Sequence, residues 1–178
     1  MGQDKSSTYQ HIGSRPIRPD GFEKVTGKAN YGADFAVPGM LYGKILRSPH
    51  AHARIVSVDV GPALAIPGVL AAVYSADLPL VEAGRGPVDF CDLSSNILAR
   101  DKVLYHGHAV AAVAASSERI AEQALKKIKV QYEVLPHVTG LAAAMSDEAP
   151  LVHRDMFTRG LAAKPDKPSN IANHTEMS

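Results

Sequence analysis

The stretch AVAAVAASSERIAEQALKKIKVQYEVLP, residues 109–136, carries the clearest structural pattern in the chain. Residues 109–115 are small and apolar without interruption, which is typical of a strand that is buried on both faces. Ser116 or Ser117 can then cap a helix, because a serine oxygen accepts hydrogen bonds from the free N–H groups of the first turn. Apolar side chains alternate again over 130–134. The stretch therefore predicts a strand, a helix and a strand, a crossover unit that favours parallel pairing and a right-handed connection.

The helix in the middle of this unit is amphipathic. Its apolar residues recur at helical spacing and share one face: Ile120, Ala121, Ala124, Leu125 and Ile128. Its charged residues lie elsewhere on the helix: Glu118, Glu122, Lys126 and Lys127. We expect the apolar face to be buried and the charged residues to stay in water.

Shorter elements are predicted on either side of the unit. Alternating side chains predict strands at 41–46 and 55–60, which a Ser48-Pro49 turn joins, and further strands are predicted at 69–74 and 102–105. Short helices are predicted at 62–66, where Pro67-Gly68 ends the helix, and at 141–145. Residues 78–96 are rich in Gly, Pro, Asp and Ser, which is typical of a long surface loop.

These elements predict an α+β fold with short helices and a mixed sheet that combines antiparallel and parallel pairing. We expect three regions along the chain. Residues 1–20 form a flexible leader, residues 21–155 form the folded domain, and residues 156–178 form a linker-like tail, which contains two Lys-Pro pairs.

Composition limits the classes of function. The 178 residues include 46% apolar and 21% charged residues, with 19 basic against 18 acidic side chains, so neither disorder nor a strongly basic nucleic-acid surface is indicated. The single cysteine, Cys91, excludes an internal disulfide and a Cys-rich metal centre. No apolar run approaches the roughly 18 residues of a membrane-spanning helix, and MGQDKSSTYQ at the start lacks the apolar segment of a secretion signal. We expect a cytoplasmic protein that binds neither nucleic acid nor membrane.

Four histidines occur in two H-x-H pairs, His50 with His52 and His106 with His108. On a strand, residues two apart point to the same face, so each pair can present two imidazoles to one metal ion. Pro49 and Gly107 instead favour turns, where a histidine commonly bonds a backbone carbonyl or packs as a half-apolar ring. The second interpretation is preferred, and a metal- or ligand-binding module that uses the four histidines is the alternative.

Other residues give weaker signals. Arg47 and Arg54 flank the first histidine pair and suit either an anion site or a solvated strand edge. Gly84-Arg85-Gly86 is no nucleotide fingerprint, because no strand precedes it and no helix follows it. Cys91 lies between Asp89 and Asp92, which would raise the pKa of a thiol rather than activate it. We therefore assign no catalytic, cofactor-binding or metal-binding residue.

Three segments together resemble a known family. They are DGFEKVTGKANYGADFAVPGMLYGKILRSPHAHARIVSVD, PGVLAAVYSADLP and DKVLYHGHAVAAVAASSERIAEQALKKIKVQYEVLP. In order and spacing they are similar to the N-terminal α/β hammerhead domain of the xanthine dehydrogenase and aldehyde oxidase family, from about Asp20 to Asp155. The resemblance is specific because the turn at Gly27, the PGM turn at 38–40, the SPHAHARI segment and the V-x-Y-E-x-L-P ending occur together.

The resemblance implies both a fold and the kind of enzyme assembly to which the chain would belong. It implies an α/β hammerhead that belongs to the molybdopterin-binding large subunit of a molybdenum hydroxylase, a heteromeric oxidoreductase. The loops that hold the cofactor and the catalytic side chains of that family have no counterpart here, so we expect a non-catalytic part that binds no cofactor alone. Molybdopterin, iron–sulfur and FAD groups are expected in the full assembly, with molybdopterin-binding domains and iron–sulfur and flavin subunits as partners. The resemblance also implies that SPHAHARI and Y-x-G-x at 105–108 are parts of the sheet rather than metal ligands.

Overall fold

The computed structural model describes residues 15–80, 94–163 and 165–176. The chain divides into two units, Met1–Pro38 and Gly39–Ser178. In the first unit, helix α1 spans Gly21–Val25, and a single 3-10 turn spans Gly32–Asp34. None of the described residues 15–38 is buried. Its large apolar side chains are exposed: Ile17, Phe22, Val25, Tyr31, Phe35 and Val37.

The described residues of the second unit form six strands in two antiparallel sheets. The strands are β1 (Tyr42–Arg47), β2 (Ala53–Asp59), β3 (Val69–Tyr74), β4 (Lys102–Val103), β5 (Ala109–Ala115) and β6 (Lys129–Val134). The helices are α2 (Gly61–Leu64), α3 (Glu118–Leu125) and α4 (Leu141–Ala144), with a 3-10 turn at Ser75–Asp77. One sheet has the order β1-β5-β3 and the other has the order β4-β2-β6.

Strand β5 is the centre of the first sheet. It pairs antiparallel with β1, where Lys44 is opposite Val113, and with β3, where Ala72 is opposite Val113. Ala111, Val113 and Ala115 on one face of β5 are buried. They pack against Ala121 and Ala124 of α3 in one hydrophobic cluster. The small side chains of both elements allow the helix to lie close to the sheet.

Helix α3 begins where the sequence predicts. Ser117 is extended, and its Oγ accepts a hydrogen bond from Ile120 N–H at 3.3 Å, which is the N-cap geometry. Gly68, at φ +90°, lies close to the start of this helix, since a Cβ there would lie 2.8 Å from Ser116 Oγ. The turn after α2 therefore needs glycine both for its backbone angle and for space.

The second sheet has a smaller core. Ala53 of β2, Val103 of β4 and Val110 of β5 are buried together with Ala99. Val110 belongs to the first sheet, and the register between β1 and β5 shifts beside it, between Leu46 and Arg47. This shift allows β5 to contribute to both cores.

The α+β class is confirmed, but the predicted parallel pairing in one mixed sheet is wrong. Strands β5 and β6 lie in different sheets, and all the pairings between named strands are antiparallel. The reason is that a strand has two edges, and β1 and β3 occupy both edges of β5. Strand β6 therefore pairs with β2.

Among the described residues, no helix has the length and apolar character that a membrane crossing requires.

Candidate functional site

The two histidine-bearing segments are joined by their backbones. Ser48 N–H donates to the carbonyl of His108 at 2.9 Å, and Gly107 N–H donates to the carbonyl of Ser48 at 2.9 Å. The Arg47 guanidinium donates to the Gly107 carbonyl, also at 2.9 Å. Gly107 has φ +88°, which closes the turn that makes these bonds possible. These three hydrogen bonds therefore join the end of β1 to the start of β5.

His108 is buried, and both of its ring nitrogens are engaged. Nδ1 accepts a hydrogen bond from Leu104 N–H at 3.2 Å, and Nε2 donates to the carbonyl of Asn96 at 2.9 Å. The ring stacks on Tyr105 with 4.5 Å between the centroids. This imidazole has no free lone pair for a metal ion, so its role is to hold the loop that precedes β5.

His50 and His106 have different surroundings. His50 is half-buried, and its ring meets Tyr132 edge-on at 5.0 Å. Burial raises the pKa of the Tyr132 phenol, and a hydrogen bond with Ser48 opposes that shift. His106 is exposed. Within residues 15–80, 94–163 and 165–176, no three His, Cys, Asp or Glu side chains are grouped to hold a metal ion.

His52 differs from the other three histidines because one of its buried nitrogens has no partner. The residue retains only 5% exposure. Nδ1 lies 2.8 Å from the carbonyl of Pro136, which can only accept, so Nδ1 carries a proton. Nε2 is buried and has no hydrogen-bond partner in the part of the chain that the structure describes.

His52 is one of the residues that line a groove of about 760 Å³, which we call the His52 groove. Its polar and charged lining consists of His52, Arg54, Asp101, Lys102 and Arg154. Its apolar lining consists of Ile55, Leu135, Pro136, Pro150, Leu151 and Pro168. Strands β2 and β4 and the segments after β6 bring these residues together.

Three cations line the groove, and three carboxylates lie among or beside them: Asp101, Asp155 and Glu133. Burial lowers the pKa of Lys102 below its usual value, and the nearby Arg154 guanidinium lowers it further, while Asp155 and Asp101 oppose the shift. Lys102 Nζ donates to the carbonyl of Val152. Arg54 is 3.5 Å from Glu133 in an ion pair in which both side chains are more than half exposed. Neither Lys102 nor Arg154 has a carboxylate within 4.0 Å among the described residues.

The sequence provided only part of this site. Arg54 was one of two arginines considered for an anion site, whereas Arg47 binds the Gly107 carbonyl instead. Lys102 and Arg154 are far from Arg54 along the chain, and no spacing rule connects them. The β2–β4 register places Lys102 opposite Arg54, and the path of the chain after β6 brings Arg154 to the same groove.

Two other candidates have simpler outcomes. Of the two serines predicted as possible caps, Ser116 and Ser117, it is Ser117 that caps α3. Gly84-Arg85-Gly86 and Cys91 lie outside the described residues.

Comparison with known proteins identifies the family. Residues 26–136 match the family described as "Aldehyde oxidase and xanthine dehydrogenase, a/b hammerhead domain". The chain belongs to this family. The resemblance drawn from the three sequence segments, and with it the α/β hammerhead fold, is therefore confirmed.

Relatives in the hammerhead family are much longer proteins. The chain is 37% identical to the carbon monoxide dehydrogenase large chain of Afipia carboxidovorans, over 86% of this chain and 19% of that protein. It is 42% identical to a probable xanthine dehydrogenase subunit of Bacillus subtilis, over 78% and 18% respectively. It is 36% identical to the nicotinate dehydrogenase large molybdopterin subunit of Eubacterium barkeri, over 87% and 35%. The chain thus spans about a fifth to a third of the length of these relatives.

Solved structures show the same fold within larger chains. Quinoline 2-oxidoreductase from Pseudomonas putida 86 matches 78% of this chain with a TM-score of 0.64 and 39% identity, over 18% of its own chain. Aldehyde oxidoreductase from Desulfovibrio gigas matches 78% of this chain with a TM-score of 0.66 and 29% identity, over 16% of its own chain. In both proteins the hammerhead is one part of a much larger polypeptide.

Proposed function

We propose that this chain is the structural, non-catalytic hammerhead part of a molybdenum hydroxylase of the xanthine dehydrogenase and aldehyde oxidase type. Its role is to pack against molybdopterin-binding domains, which are either parts of a longer chain or a separate subunit. The observation that carries this proposal is the uncovered face of the β1-β5-β3 sheet.

Six residues form this face, on the opposite side of the sheet from α3. The register places them together: Gly43, Ile45, Ala71, Val73, Ala112 and Ala114. An antiparallel sheet with one solvated face normally alternates polar residues onto that face. This face carries no charge and no hydrogen-bonding side chain, yet Ile45 is 47% exposed and Ala112 and Ala114 are only half-buried.

The composition of the face supports contact with another protein layer. Its residues are small or β-branched, so a partner can approach the backbone closely, and burying such a surface is favourable by about 25 cal/mol per Å². Strand β5 also has the continuous apolar sequence of a strand that is covered on both faces. The apolar side chains of residues 15–38 provide further surface of the same kind.

The names of the relatives indicate what the covering protein would be. One is a large molybdopterin subunit, and another is the xanthine dehydrogenase molybdenum-binding subunit of Escherichia coli O157:H7. We infer that the uncovered face packs against domains of that kind, with iron–sulfur and flavin components elsewhere in the assembly. A cytoplasmic location fits this proposal.

The described residues contain no group of three His, Cys, Asp or Glu side chains that could hold a metal ion. We propose that the redox chemistry belongs to the partner domains and that this chain binds no cofactor alone. The boundaries of the leader at 1–20, the domain at 21–155 and the tail at 156–178 stay predictions.

The experiment is a purification from the native host with an affinity tag at the chromosomal locus. We expect molybdenum to co-purify with the tagged protein. Ala71→Glu places a charge on the uncovered face at an exposed position, where the isolated fold tolerates it. Because an interface must desolvate that charge, recovered molybdenum should fall on the order of tenfold.

The matched control is the same substitution at Ala142, an exposed residue of α4. Ala142→Glu should leave molybdenum recovery unchanged. Purification of a molybdenum-free protein from an extract that contains active molybdenum hydroxylase would contradict the proposal. So would turnover of an aldehyde or a purine by these 178 residues alone.

A further inference from the structure

We propose that the described residues of 150–174 form a strap that closes one side of the His52 groove and opens as a single unit. Asn170 holds the strap in shape, and Lys102 of β4 fastens it to the second sheet. This inference concerns the groove alone and does not depend on which protein covers the β1-β5-β3 sheet.

The side-chain amide of Asn170 joins three separate stretches of backbone. Its Oδ1 accepts a hydrogen bond from Val152 N–H at 3.1 Å. Its Nδ2 donates to the carbonyls of Pro150 at 3.1 Å and Ala144 at 3.2 Å. The amide thus uses its acceptor and its donor together, so one half-buried side chain ties the second half of the strap to its first half and to the end of α4.

Backbone hydrogen bonds hold the two halves of the strap side by side. Ser169 N–H donates to the carbonyl of Met156 at 2.9 Å, and Arg159 N–H donates to the carbonyl of Ala172 at 3.0 Å. The two halves run parallel where Arg159 bridges Asn173. Because each of these bonds crosses from one half to the other, neither half can leave its place without the other.

The strap is attached to the sheets by fewer buried contacts than the sheets have within themselves. None of the described residues between 136 and 176 is buried, whereas β5 buries Val110, Ala111, Val113 and Ala115. No described residue of the strap belongs to either hydrophobic core. The Lys102 ammonium of β4 donates to the carbonyl of Val152 and so reaches the strap from the second sheet. Segments with few buried apolar contacts open at a lower free energy than the core does, so the strap can open while the sheets stay folded.

The His52 groove lies between the strap and the second sheet. The strap supplies one side of the groove: Pro150, Leu151, Arg154 and Pro168. The two strands and their flanking residues supply the other: His52, Arg54, Ile55, Asp101, Lys102, Leu135 and Pro136. Opening of the strap therefore removes one wall and exposes the apolar lining at Leu135 to water.

Hydrogen exchange of backbone amides, measured by NMR on the purified 178-residue chain, tests whether the strap opens as a unit. Val152, Arg159 and Ser169 each have an N–H that is hydrogen-bonded within the strap. We expect their protection factors to agree within about threefold and to be at least about tenfold lower than those of the β5 amides. The β5 amides serve as the internal reference, because they report opening of the whole fold.

Two substitutions loosen the strap at different places. Asn170→Ala removes the amide that joins the two halves, and Lys102→Met removes the bond to the Val152 carbonyl while keeping the apolar stem. Each should lower the protection factors of all three strap amides by about tenfold and leave those of β5 unchanged. An effect at Arg159 and Ser169 is decisive, because neither residue bonds to the side chain that is replaced.

The chain offers a matched control for each substitution. Asn173→Ala removes an exposed amide of the same strap, whose Nδ2 donates to Thr175 Oγ1. Lys126→Met removes an exposed ammonium at the end of α3. Both controls should leave the exchange of the strap amides unchanged.

Thiol labelling tests whether the strap covers the groove. Protein with Cys91→Ser and Leu135→Cys carries a single thiol, at a position that lines the groove. Adding Asn170→Ala should raise the rate of its reaction with an aromatic disulfide reagent by about tenfold, whereas adding Asn173→Ala should not change it.

Several results would overturn the proposal. It is wrong if the strap amides have unrelated protection factors or exchange as slowly as those of β5. It is also wrong if Asn170→Ala affects Val152 alone, if β5 loses protection equally, or if the labelling rate does not change. Molybdenum recovery is measured on other variants, so this proposal and the proposed function fail separately.

Discussion

Lys44 Nζ lies 2.5 Å from Glu118 Oε1, so an ion pair joins strand β1 to the first turn of helix α3. A hydrogen bond from Lys44 lowers the pKa of Glu118, and the same bond raises the pKa of Lys44. Glu122 Oε1 is also near the ammonium group, at 3.5 Å. One lysine of the sheet thus holds two carboxylates of the helix that covers it.

The first prediction concerns Glu118→Gln. A carboxyl group whose pKa is lowered on folding stabilises the protein above the pKa of the unfolded chain, and the effect is lost as pH falls through the folded value. We expect Glu118→Gln to lower the melting temperature slightly at neutral pH, and this difference to vanish below the ordinary glutamate range, at about pH 2.5. Circular dichroism melts at both pH values measure it. Glu122→Gln, which loses the longer contact, should have the smaller effect at neutral pH.

At alkaline pH the stability contributed by the Lys44–Glu118 ion pair depends on the charge of Lys44, so it is lost as pH rises rather than as pH falls. Because the pKa of Lys44 is raised on folding, its contribution is complete below the usual lysine value of 10.5 and is lost as pH rises through the folded value. The effect of Glu118→Gln on the melting temperature should therefore stay constant from neutral pH until lysine titrates. A difference that disappeared near pH 7 would contradict the assignment of this pair.

The second prediction compares how much the free energy of unfolding falls when His108 or His106 of the HGH turn is replaced by alanine. His108→Ala removes a buried ring together with its bonds to Leu104 and Asn96, and should lower the free energy of unfolding by about 3 kcal/mol. His106→Ala changes an exposed side chain and should stay within about 0.5 kcal/mol of wild type. Urea unfolding gives both values. Equal losses at the two positions would show that the HGH segment acts as a pair, as a shared ligand set would.

The third prediction uses two glycines with similar backbone angles, Gly68 at φ +90° and Gly107 at φ +88°. Alanine at Gly107 would have open space around its Cβ, so its cost is the left-handed backbone alone, about 1–2 kcal/mol. Alanine at Gly68 would also meet Ser116 Oγ at 2.8 Å and Ile120 Cδ1 at 2.9 Å. We expect Gly68→Ala to cost about 1 kcal/mol more in unfolding free energy, because those side chains must shift. A smaller loss at Gly68 than at Gly107 would place α2 and α3 further apart than described.

The fourth prediction concerns the segment that follows the predicted domain. Arg159 N–H donates to Ala172 O at 3.0 Å, and His174 N–H donates to Arg159 O at 2.8 Å. A Cβ at Gly160, where φ is +80°, would lie 1.9 Å from the carbonyl oxygen of His174. Gly160→Ala should therefore separate these two stretches and make the segment several-fold more susceptible to proteolysis, on the basis that local opening controls cleavage. Limited proteolysis followed by mass spectrometry measures this rate.

Ala162, which is exposed in the wild-type protein, offers the control position. Ala162→Gly increases backbone freedom in the same segment without a steric clash. If the two variants were cleaved at the same rate as wild type, the bonds between Arg159 and residues 172–174 would not hold this segment in solution.

Local patterns of the sequence determined several elements closely. Strand β5 spans 109–115 and strand β3 spans 69–74, as predicted, because in each a continuous apolar run ends at residues that favour turns or caps. The N-cap at Ser117 was one of two predicted, and the helix it caps buries Ala121 and Ala124 on the predicted face. The hammerhead resemblance also came from the sequence, since it rests on turns and endings that occur in a fixed order.

Tertiary structure alone decided which strands became neighbours and which charges meet. A strand, a helix and a strand in succession favour parallel pairing only when an edge of the first strand is free, and β1 and β3 fill both edges of β5. The His52 groove depends on the antiparallel register that places Lys102 beside Arg54, and on the return of the chain that brings Arg154 to the same place. Periodicity reports which face of an element is apolar, but it contains no information on the partner that covers the face. Contacts between residues that are distant along the chain follow from packing, and packing is decided by the whole sequence together.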